Sequence, residues 1–343
     1  MDPLRVYYSN SPVPESLCYL VIELWIPKPS LNGLSFQNTT ASCSGRSRCA
    51  EPMNAMARRR CSFVALFLAM PCIVLSLNAQ ATIPILWQNP NLLVLDKPPG
   101  IPHHTEGPDT PGVLEILRHQ RRLEEERLYG VHRLDKVTSG ILLVAKNRET
   151  AQSLTRAFRD KTIVKYYLGL SRHKLGPQKQ GWVRGWMKRG RRGAWMLSRE
   201  ETPLDCRTRY YSAKLGDVPP LERGPSPQTL LLFRPYTGRT HQLRVAAKSI
   251  GLPLMGDPSY PDRFVEKADR TYLHAAAMYV PPGLVSEDGV CLWSPSRFDS
   301  LWPTEEQRSL YKTKSRRLLE KGCDCAPLQD HILAAQQAMR PID

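Results

Sequence analysis

The 343-residue sequence lacks the short motifs that define several common enzyme and binding classes. It has neither a P-loop nor a glycine-rich dinucleotide fingerprint, and it shows no internal repeat. No pair of Cys or His residues at zinc-finger spacing accompanies Cys323-Asp324-Cys325 near the end of the chain. These absences argue against P-loop and dinucleotide-binding enzymes, repeat proteins and zinc fingers, and we expect no metal site.

The cysteines do not form the pattern of a disulfide framework. Five of the nine lie within the first 72 residues, and the long stretch before Cys323 keeps only Cys206 and Cys291. Unevenly scattered thiols of this kind are typical of a reducing compartment.

Acidic residues are few relative to basic ones. The chain has 32 Asp and Glu against 48 Lys and Arg, which gives a formal net charge of +16. Such an excess of positive charge usually indicates that the protein binds a negatively charged partner, and the commonest polyanionic partner is nucleic acid. A membrane surface and a generally basic protein without such a partner are the alternatives. The apolar content of 41% is enough to form a core in one or two domains.

Residues 1–81 differ in composition from the rest of the chain. Three arginines at 58–60 precede an apolar run at 61–77, and Ala79-Gln80-Ala81 follows. A basic start, an apolar middle and a small-residue end are typical of a targeting segment. We therefore expect residues 56–81 to direct the protein to an organelle, a plastid or a mitochondrion. The alternatives are a later translation start with a cytoplasmic location, a short membrane anchor, and a buried helix.

Hydrophobic periodicity predicts one folded body over residues 82–303, followed by a charged, helical C-terminal appendage at 304–343. Two short apolar runs around Asn89-Pro90-Asn91 indicate strand, turn and strand. Helices are predicted at 113–128, 148–160 and 240–251, and strands at 141–147, 162–170, 206–213, 228–236 and 271–280, the last being the final core strand. This order of elements predicts an α+β fold with a mixed, largely antiparallel sheet and flanking helices.

The stretch HRLDKVTSG, residues 132–140, places one carboxylate in a basic setting just before an apolar strand. A hydrolase that works by general acid–base catalysis would need a second carboxylate near Asp135, and the local sequence supplies none. His132, Asp135 and His241 do not have the spacing of a strong metal site. A carboxylate held by a positive partner stays ionised and can act as a nucleophile. From the residues alone, a structural ion pair and a catalytic acid both remain open.

Residues 172–199 combine nine Lys or Arg with three tryptophans and contain no acid. Basic side chains neutralise phosphates, and exposed aromatic rings stack on unpaired bases. We therefore expect this insertion to contact RNA through Lys179, Trp182, Arg184, Trp186, Lys188, Arg189, Arg191 and Arg192. The alternative is a solvated hairpin whose tryptophans pack on the core.

Five motifs in order give the sequence a specific resemblance. GVHRLDKVTSGILLVAKN is similar to the central motif of the RluA-type family of RNA pseudouridine synthases. The family's K-x-Y, G-R-T-H-Q-L-R, G-D-P-x-Y and L-H-A segments follow at 165–167, 238–244, 256–260 and 273–275. The resemblance covers about residues 83–300. It departs from the family pattern at Gly169 and Ala246, and no S4-type RNA-binding domain is visible upstream.

The resemblance implies that the chain isomerises uridines in ribosomal or transfer RNA to pseudouridine, without a cofactor. It implies that Asp135 is the catalytic residue, that Arg244 pairs with it, and that Tyr167 stacks on the uracil and assists proton removal from C5. The other residues expected to bind the substrate are Arg133, Leu134, Thr138, Arg239, His241, Gln242 and Leu273. We expect a monomer. The rival functions are an inactive RNA-binding module of the same fold and a metal-dependent nuclease or hydrolase.

Overall fold

The computed structural model describes residues 82–121, 127–174, 176–216, 226–262, 268–294, 298, 301–302, 304–328 and 330. The predicted targeting segment, with the rest of residues 1–81, lies outside the described residues, as does the end of the predicted appendage, 331–343. The described residues all belong to one compact unit.

Eleven strands of the described chain form one sheet. They are β1 (Ile85–Gln88), β2 (Leu92–Lys97), β3 (Tyr129–Gly130), β4 (Ser139–Ala145), β5 (Val164–Ser171), β6 (Gln180–Arg189), β7 (Trp195–Ser198), β8 (Asp205–Lys214), β9 (Thr229–Pro235), β10 (Leu273–Val280) and β11 (Val290–Trp293). The order across the sheet is β1-β2-β4-β10-β5-β9-β8-β6-β7, with β11 paired to β10 and β3 to β4. The β4–β10 pair is parallel and the other pairs described are antiparallel. The predicted mixed, largely antiparallel sheet is confirmed.

Four α-helices of the described residues flank the sheet: α1 (Val113–Arg121), α2 (Arg148–Arg159), α3 (Gln242–Ser249) and α4 (Glu305–Gly322). The Asn147 side chain caps α2 by accepting a hydrogen bond from the Thr150 N–H at 2.8 Å. Thr304 and Gln307 form a capping box at the start of α4. None of the helices described here is both long and apolar enough to cross a bilayer.

Two predicted elements need correction. The helix predicted at 113–128 was too long, because residues 127 and 128 are not helical, while 122–126 lie outside the described residues. The strand at 271–280 is not the last one, because β11 pairs with the second half of β10. β11 was missed because its four residues, VCLW, are too short to show a clear alternation.

Successive side chains of the central strands enter different layers of the core, as strand geometry requires. Tyr167 and Phe233 face a cluster that contains α3, whereas Tyr166 and Leu232 face a cluster built on α4. Tyr311, Leu318 and Leu319 are the α4 residues buried in that second cluster. The helix of the segment called a C-terminal appendage therefore packs into the core and covers one face of the sheet.

The basic insertion of residues 172–199 is built largely into the sheet. β6 pairs with β8 over seven residue pairs, and β7 closes the edge as the partner of β6. Val183 and Met187 point into the core, while Trp182 and Arg184 alternate with them on the other face. The predicted tryptophans thus sit on a fixed scaffold at one end of the sheet.

Gly140, in β4 just after the loop that carries Asp135, packs closely against β10. Its φ of +106° lies in the region that favours glycine, and a Cβ there would lie 2.7 Å from the Ala275 nitrogen. The parallel β4–β10 contact at Gly140 and Ala275 thus requires the absence of a side chain.

We expect Gly140→Ala to lower the free energy of unfolding by roughly 2–5 kcal/mol, because it combines backbone strain with an overpacked contact. Gly283→Ala is the control: its φ of +78° also lies in the region that favours glycine, but no atom lies within 4 Å of the added Cβ. The control should lose only about 1–2 kcal/mol in urea unfolding. Equal losses in the two variants would contradict the proposed close contact.

Candidate active site

Asp135 lies in the loop between β3 and β4, where a tight turn holds it. The Thr138 N–H donates to the Asp135 carbonyl at 3.0 Å, and the Gly100 N–H donates to the Lys136 carbonyl at 2.8 Å. Thr138 is itself buried. These contacts fix the loop from both sides, so that the Asp135 side chain points out of it, 18% exposed.

Lys97, at the end of β2, is a fully buried lysine behind this loop. Its Nζ donates to the carbonyls of Pro98, Ile101 and Lys136 at 2.8, 2.9 and 3.2 Å. Burial lowers the pKa of Lys97 to about 7, although the negative charge of Asp135 acts in the opposite direction. Lys97 therefore ties the loop that carries Asp135 to the end of β2.

Arg244, on α3, is the positive partner of Asp135. It is buried, and its Nη1 lies 3.4 Å from Asp135 Oδ2. Its Nε and Nη2 each donate to Asp257 at 2.7 Å, and Nη2 also donates to Ser259 Oγ at 2.9 Å. Burial alone would lower the pKa of Arg244, but the hydrogen bonds and charge of Asp257 reverse the effect and raise it.

Asp257 binds the Nε and Nη2 atoms of Arg244 and lies in a turn that requires a glycine at position 256. The fully buried carboxylate accepts hydrogen bonds from the Ser259 and Tyr260 N–H groups at 2.9 and 3.1 Å. The preceding Gly256 has a φ of +72°, and a Cβ there would collide with the Arg270 carbonyl. The G-D-P-x-Y segment thus forms an acidic socket for the Arg244 guanidinium.

His241 precedes α3 in a left-handed conformation, with φ of 58°. This conformation is strained for a residue other than glycine, and such strain is common at functional sites. The His241 Nδ1 lies 3.1 Å from the Tyr260 hydroxyl, which accepts a hydrogen bond from the Trp195 N–H at 2.7 Å. Burial and the nearby Arg244 lower the pKa of His241, so at neutral pH it contributes a polar ring and little charge.

Tyr167 on β5 and Leu273 on β10 form the apolar side of the site. Both are buried, and Leu273 pairs with Gly169, two residues beyond Tyr167. Burial first, and the charge of Asp135 second, raise the pKa of Tyr167 well above its usual value. The Tyr167 phenol is therefore neutral in the working pH range and keeps its hydroxyl proton.

These side chains meet in an open cleft of about 620 Å³. All ten residues assigned to catalysis or substrate binding line it: Arg133, Leu134, Asp135, Thr138, Tyr167, Arg239, His241, Gln242, Arg244 and Leu273. Among the described lining residues Asp135 is the sole acid, facing eight basic ones: Arg133, Arg159, Lys161, Lys165, Arg207, Arg234, Arg239 and Arg244. The lining of the cleft thus carries a large excess of positive charge around a single carboxylate.

Two of the predicted substrate-binding side chains already have partners in the protein. Gln242 accepts hydrogen bonds from Thr237 and Arg239 and donates two more to Arg207 and Thr208, so its amide fixes the loop before α3. Arg239 Nη2 donates to Asp205 Oδ1 at 2.7 Å. Arg133, by contrast, is exposed at the mouth of the cleft.

Comparison with known proteins agrees with this geometry. A model of the RNA pseudouridylate synthase family matches residues 91–249. An RNA pseudouridine synthase of Haemophilus influenzae, whose name calls it uncharacterized, is 37% identical over 233 residues, which cover 68% of this chain and 97% of that protein. The chain belongs to the RluA-type family of RNA pseudouridine synthases.

Two further comparisons define how far the likeness extends. Ribosomal large subunit pseudouridine synthase C of Escherichia coli is 34% identical over 212 residues, which cover 58% of this synthase and 62% of that protein. The solved structure titled Human RNA Pseudouridylate Synthase Domain Containing 1 superimposes with a TM-score of 0.54 at 24% identity, covering 68% of this chain and 96% of that one. This likeness shows the shared fold.

The predicted RNA-contact residues of the synthase lie outside the cleft lining. Lys179, Trp182, Arg189 and Arg191 are exposed, and Lys188 pairs with Glu200 at 3.2 Å. Trp186 and Trp195 are half-buried near the β6–β7 hairpin, and the Arg192 side chain lies outside the described residues. Arg184 stacks on Trp182, with its Cζ 4.6 Å from the ring centroid.

Sequence reasoning missed three residues that organise the site: Lys97, Asp257 and Tyr260. Asp257 and Tyr260 belong to the G-D-P-x-Y motif and Lys97 to the segment DKPPG at 96–100, but a local sequence does not show which distant side chain its members contact. A buried cation requires a buried anion, and this rule could have pointed to Asp257 once Arg244 was placed on an apolar helix. In the part of the chain that the structure describes, no group of three or more His, Cys, Asp or Glu has the arrangement of a metal site.

We expect Asp257→Asn to lower the free energy of unfolding by about 3–5 kcal/mol, because it leaves the buried Arg244 guanidinium without its main counter-charge. Urea unfolding measures the loss. Asp205→Asn removes the half-exposed partner of Arg239 and should cost less than about 1 kcal/mol. A small effect of Asp257→Asn would show that the pair is dispensable to the fold.

Lys97 should make stability rise with pH. Between its folded pKa of about 7 and its unfolded value of 10.5, the unfolded chain holds a proton that the folded chain lacks. The free energy of unfolding therefore gains up to about 1.4 kcal/mol per pH unit in that window. Unfolding of wild type and Lys97→Met at several pH values should show this slope in wild type only. Parallel pH profiles would refute it.

Proposed function

We propose that this synthase isomerises specific uridines in ribosomal or transfer RNA to pseudouridine, with Asp135 as the catalytic residue. The observation that carries the proposal is the position of Asp135 as the sole acid among the described residues of a basic cleft, paired with Arg244. The basic walls attract the RNA backbone, and the carboxylate is then the one anionic group that meets the sugar and base.

The reaction balances without any external group. The bond between uracil N1 and ribose C1′ breaks, the base turns, and a bond forms between C5 and C1′, while C5 loses a proton and N1 gains one. Nothing is oxidised or hydrolysed, so one carboxylate that stabilises the detached sugar or base is sufficient. The uridine first leaves its stack, at a cost of roughly a few kcal/mol.

The cleft supplies a role for each neighbouring group. The Tyr167 ring offers a stacking surface for the uracil, and its neutral hydroxyl can relay the C5 proton. Leu273 forms an apolar wall beside it, and Arg244 holds the Asp135 carboxylate in position. The exposed Arg133 can bind the backbone or fill the space that the base leaves. The name of the E. coli relative supports ribosomal RNA as the first substrate to test.

We expect Asp135→Asn to abolish pseudouridine formation and to keep RNA binding, because the amide lacks the nucleophilic charge but fills the same space. Full-length wild type and variant are each incubated with unmodified ribosomal and transfer RNA, and sites are read by pseudouridine-specific chemical mapping. Asp109→Asn, an exposed acid outside the cleft, is the matched control and should retain activity.

Sites that persist in Asp135→Asn would reject Asp135 as the catalytic residue. Sites on transfer RNA but not on ribosomal RNA would identify transfer RNA as the substrate of the two proposed, and absence of sites on both would reject the proposed substrates.

A further inference from the structure

A row of arginine and aromatic side chains crosses the β6, β8 and β9 strands beside the cleft. Trp182 is 40% exposed, and the Cζ atoms of Arg184 and Arg209 lie 4.6 and 5.5 Å from its ring centroid. The Tyr236 ring lies 5.0 Å from that of Trp182, and the Arg234 Cζ lies 4.4 Å from the Tyr236 centroid. We call these five residues the arginine–aromatic ladder.

The sheet register explains why the ladder forms. Trp182 pairs with Arg209 across β6 and β8, and Arg209 pairs with Arg234 across β8 and β9. Their sequence neighbours Val183, Tyr210 and Phe233 point to the opposite face and enter the core. Three adjacent strands therefore present a continuous surface on one face, and Tyr236 extends it just beyond the end of β9.

The C-terminal segment fixes the inner end of the ladder. Asp324, just after α4, forms an ion pair with Arg234 and accepts a hydrogen bond from the Tyr236 hydroxyl at 2.9 Å. It also accepts a hydrogen bond from the buried Tyr166 at 2.5 Å. Arg234 and Tyr236 are thus held in place before any ligand binds, which lowers the entropic cost of binding.

The outer end of the ladder keeps its positive charge. Within the described residues, Arg184 and Arg209 rest on aromatic rings and form no ion pair with a carboxylate. A surface that offers uncompensated guanidinium groups next to an exposed indole suits a ligand that carries both negative charges and flat rings. Unpaired RNA has both, whereas a duplex hides its base faces inside the stack.

The ladder is continuous with the active-site cleft. Arg234 and Tyr236 belong to the ladder and also line the cleft, and Arg207 lines it next to them. An RNA strand that leaves the cleft over β9 would meet Tyr236 first, then Trp182. Trp182 is the only exposed tryptophan among the described residues, and its ring contacts Tyr236, which lines the cleft.

We propose that the arginine–aromatic ladder is a stacking platform for an unpaired segment of the substrate RNA beside the target uridine. The bases stack on Trp182 and Tyr236, and the phosphates pair with Arg184 and Arg209. The inference rests on the proposed function for the identity of the nucleotide in the cleft, but binding to the platform requires no turnover. Of the predicted RNA-contact residues, it selects Trp182 and Arg184.

The test measures binding by the full-length chain. The probe is a fluorescent single-stranded oligouridylate of roughly twelve nucleotides, compared with an RNA duplex of the same length. We expect Trp182→Ala to weaken single-strand binding about tenfold and duplex binding little, and Trp182→Phe to restore most of the affinity. Arg209→Gln should weaken binding and reduce the salt dependence by about one released counterion.

Two matched controls keep ring and charge effects separate. Met196→Ala removes another exposed apolar side chain, from the neighbouring β7. Arg148→Gln removes an exposed positive charge from α2, which packs on β3 and β4, away from β6 in the strand order. Both should bind as wild type does, and circular dichroism verifies that every variant is folded. Wild-type affinity in Trp182→Ala, equal losses on single strand and duplex, or no detectable binding of the oligouridylate by wild type would each overturn the platform.

The outcome is separable from that of the proposed function. Loss of binding in Trp182→Ala together with no pseudouridine from wild type supports the platform and rejects the assigned substrates. Pseudouridine formation by wild type with unaltered binding in Trp182→Ala rejects the platform alone.

Discussion

The buried Arg244 guanidinium is the constraint around which the active site is arranged. A cation removed from water requires close anionic partners, and Asp257 supplies them through two hydrogen bonds of 2.7 Å. The remaining nitrogen then faces Asp135 at 3.4 Å. One arginine thus joins α3 both to the loop that carries Asp135, 109 residues earlier in the sequence, and to the G-D-P-x-Y turn that follows α3. Gly140 lets the start of β4 pack against Ala275, and Gly256 lets the G-D-P-x-Y turn pack against the Arg270 backbone.

The surroundings of that ion pair determine what chemistry is possible. Tyr167 and Leu273 give the site an apolar side, and the basic residues around the cleft give it a strong attraction for phosphates. With one carboxylate in the described lining, the site resembles neither a paired-acid hydrolase nor a general acid–base site. A lone carboxylate suits a reaction that breaks one bond and remakes another within the same nucleotide. Family membership and geometry therefore lead to the same reaction class.

Local patterns in the sequence predicted most strands and three of the helices, and the family resemblance implied the ten predicted site residues that the structure places in the cleft. The motif segments lie at strand ends and at the start of α3, where their spacing defines their positions. Long-range contacts were not predictable: Asp257 lies thirteen residues from Arg244, and Asp324 lies 88 from Tyr236. Nor did composition show that the basic insertion pairs with β8, because strand partners depend on register across the whole sheet.

The most direct test of this account is a crystal structure of Asp135→Asn bound to an RNA that carries the mapped uridine. The account predicts a flipped uridine in the cleft, with its ring against Tyr167 and its reacting carbon about 3–3.5 Å from the side chain at position 135. Arg244 should keep its hydrogen bonds to Asp257 in that complex. A uridine bound elsewhere, or one whose reacting atoms lie far from position 135, would contradict the central role of Asp135.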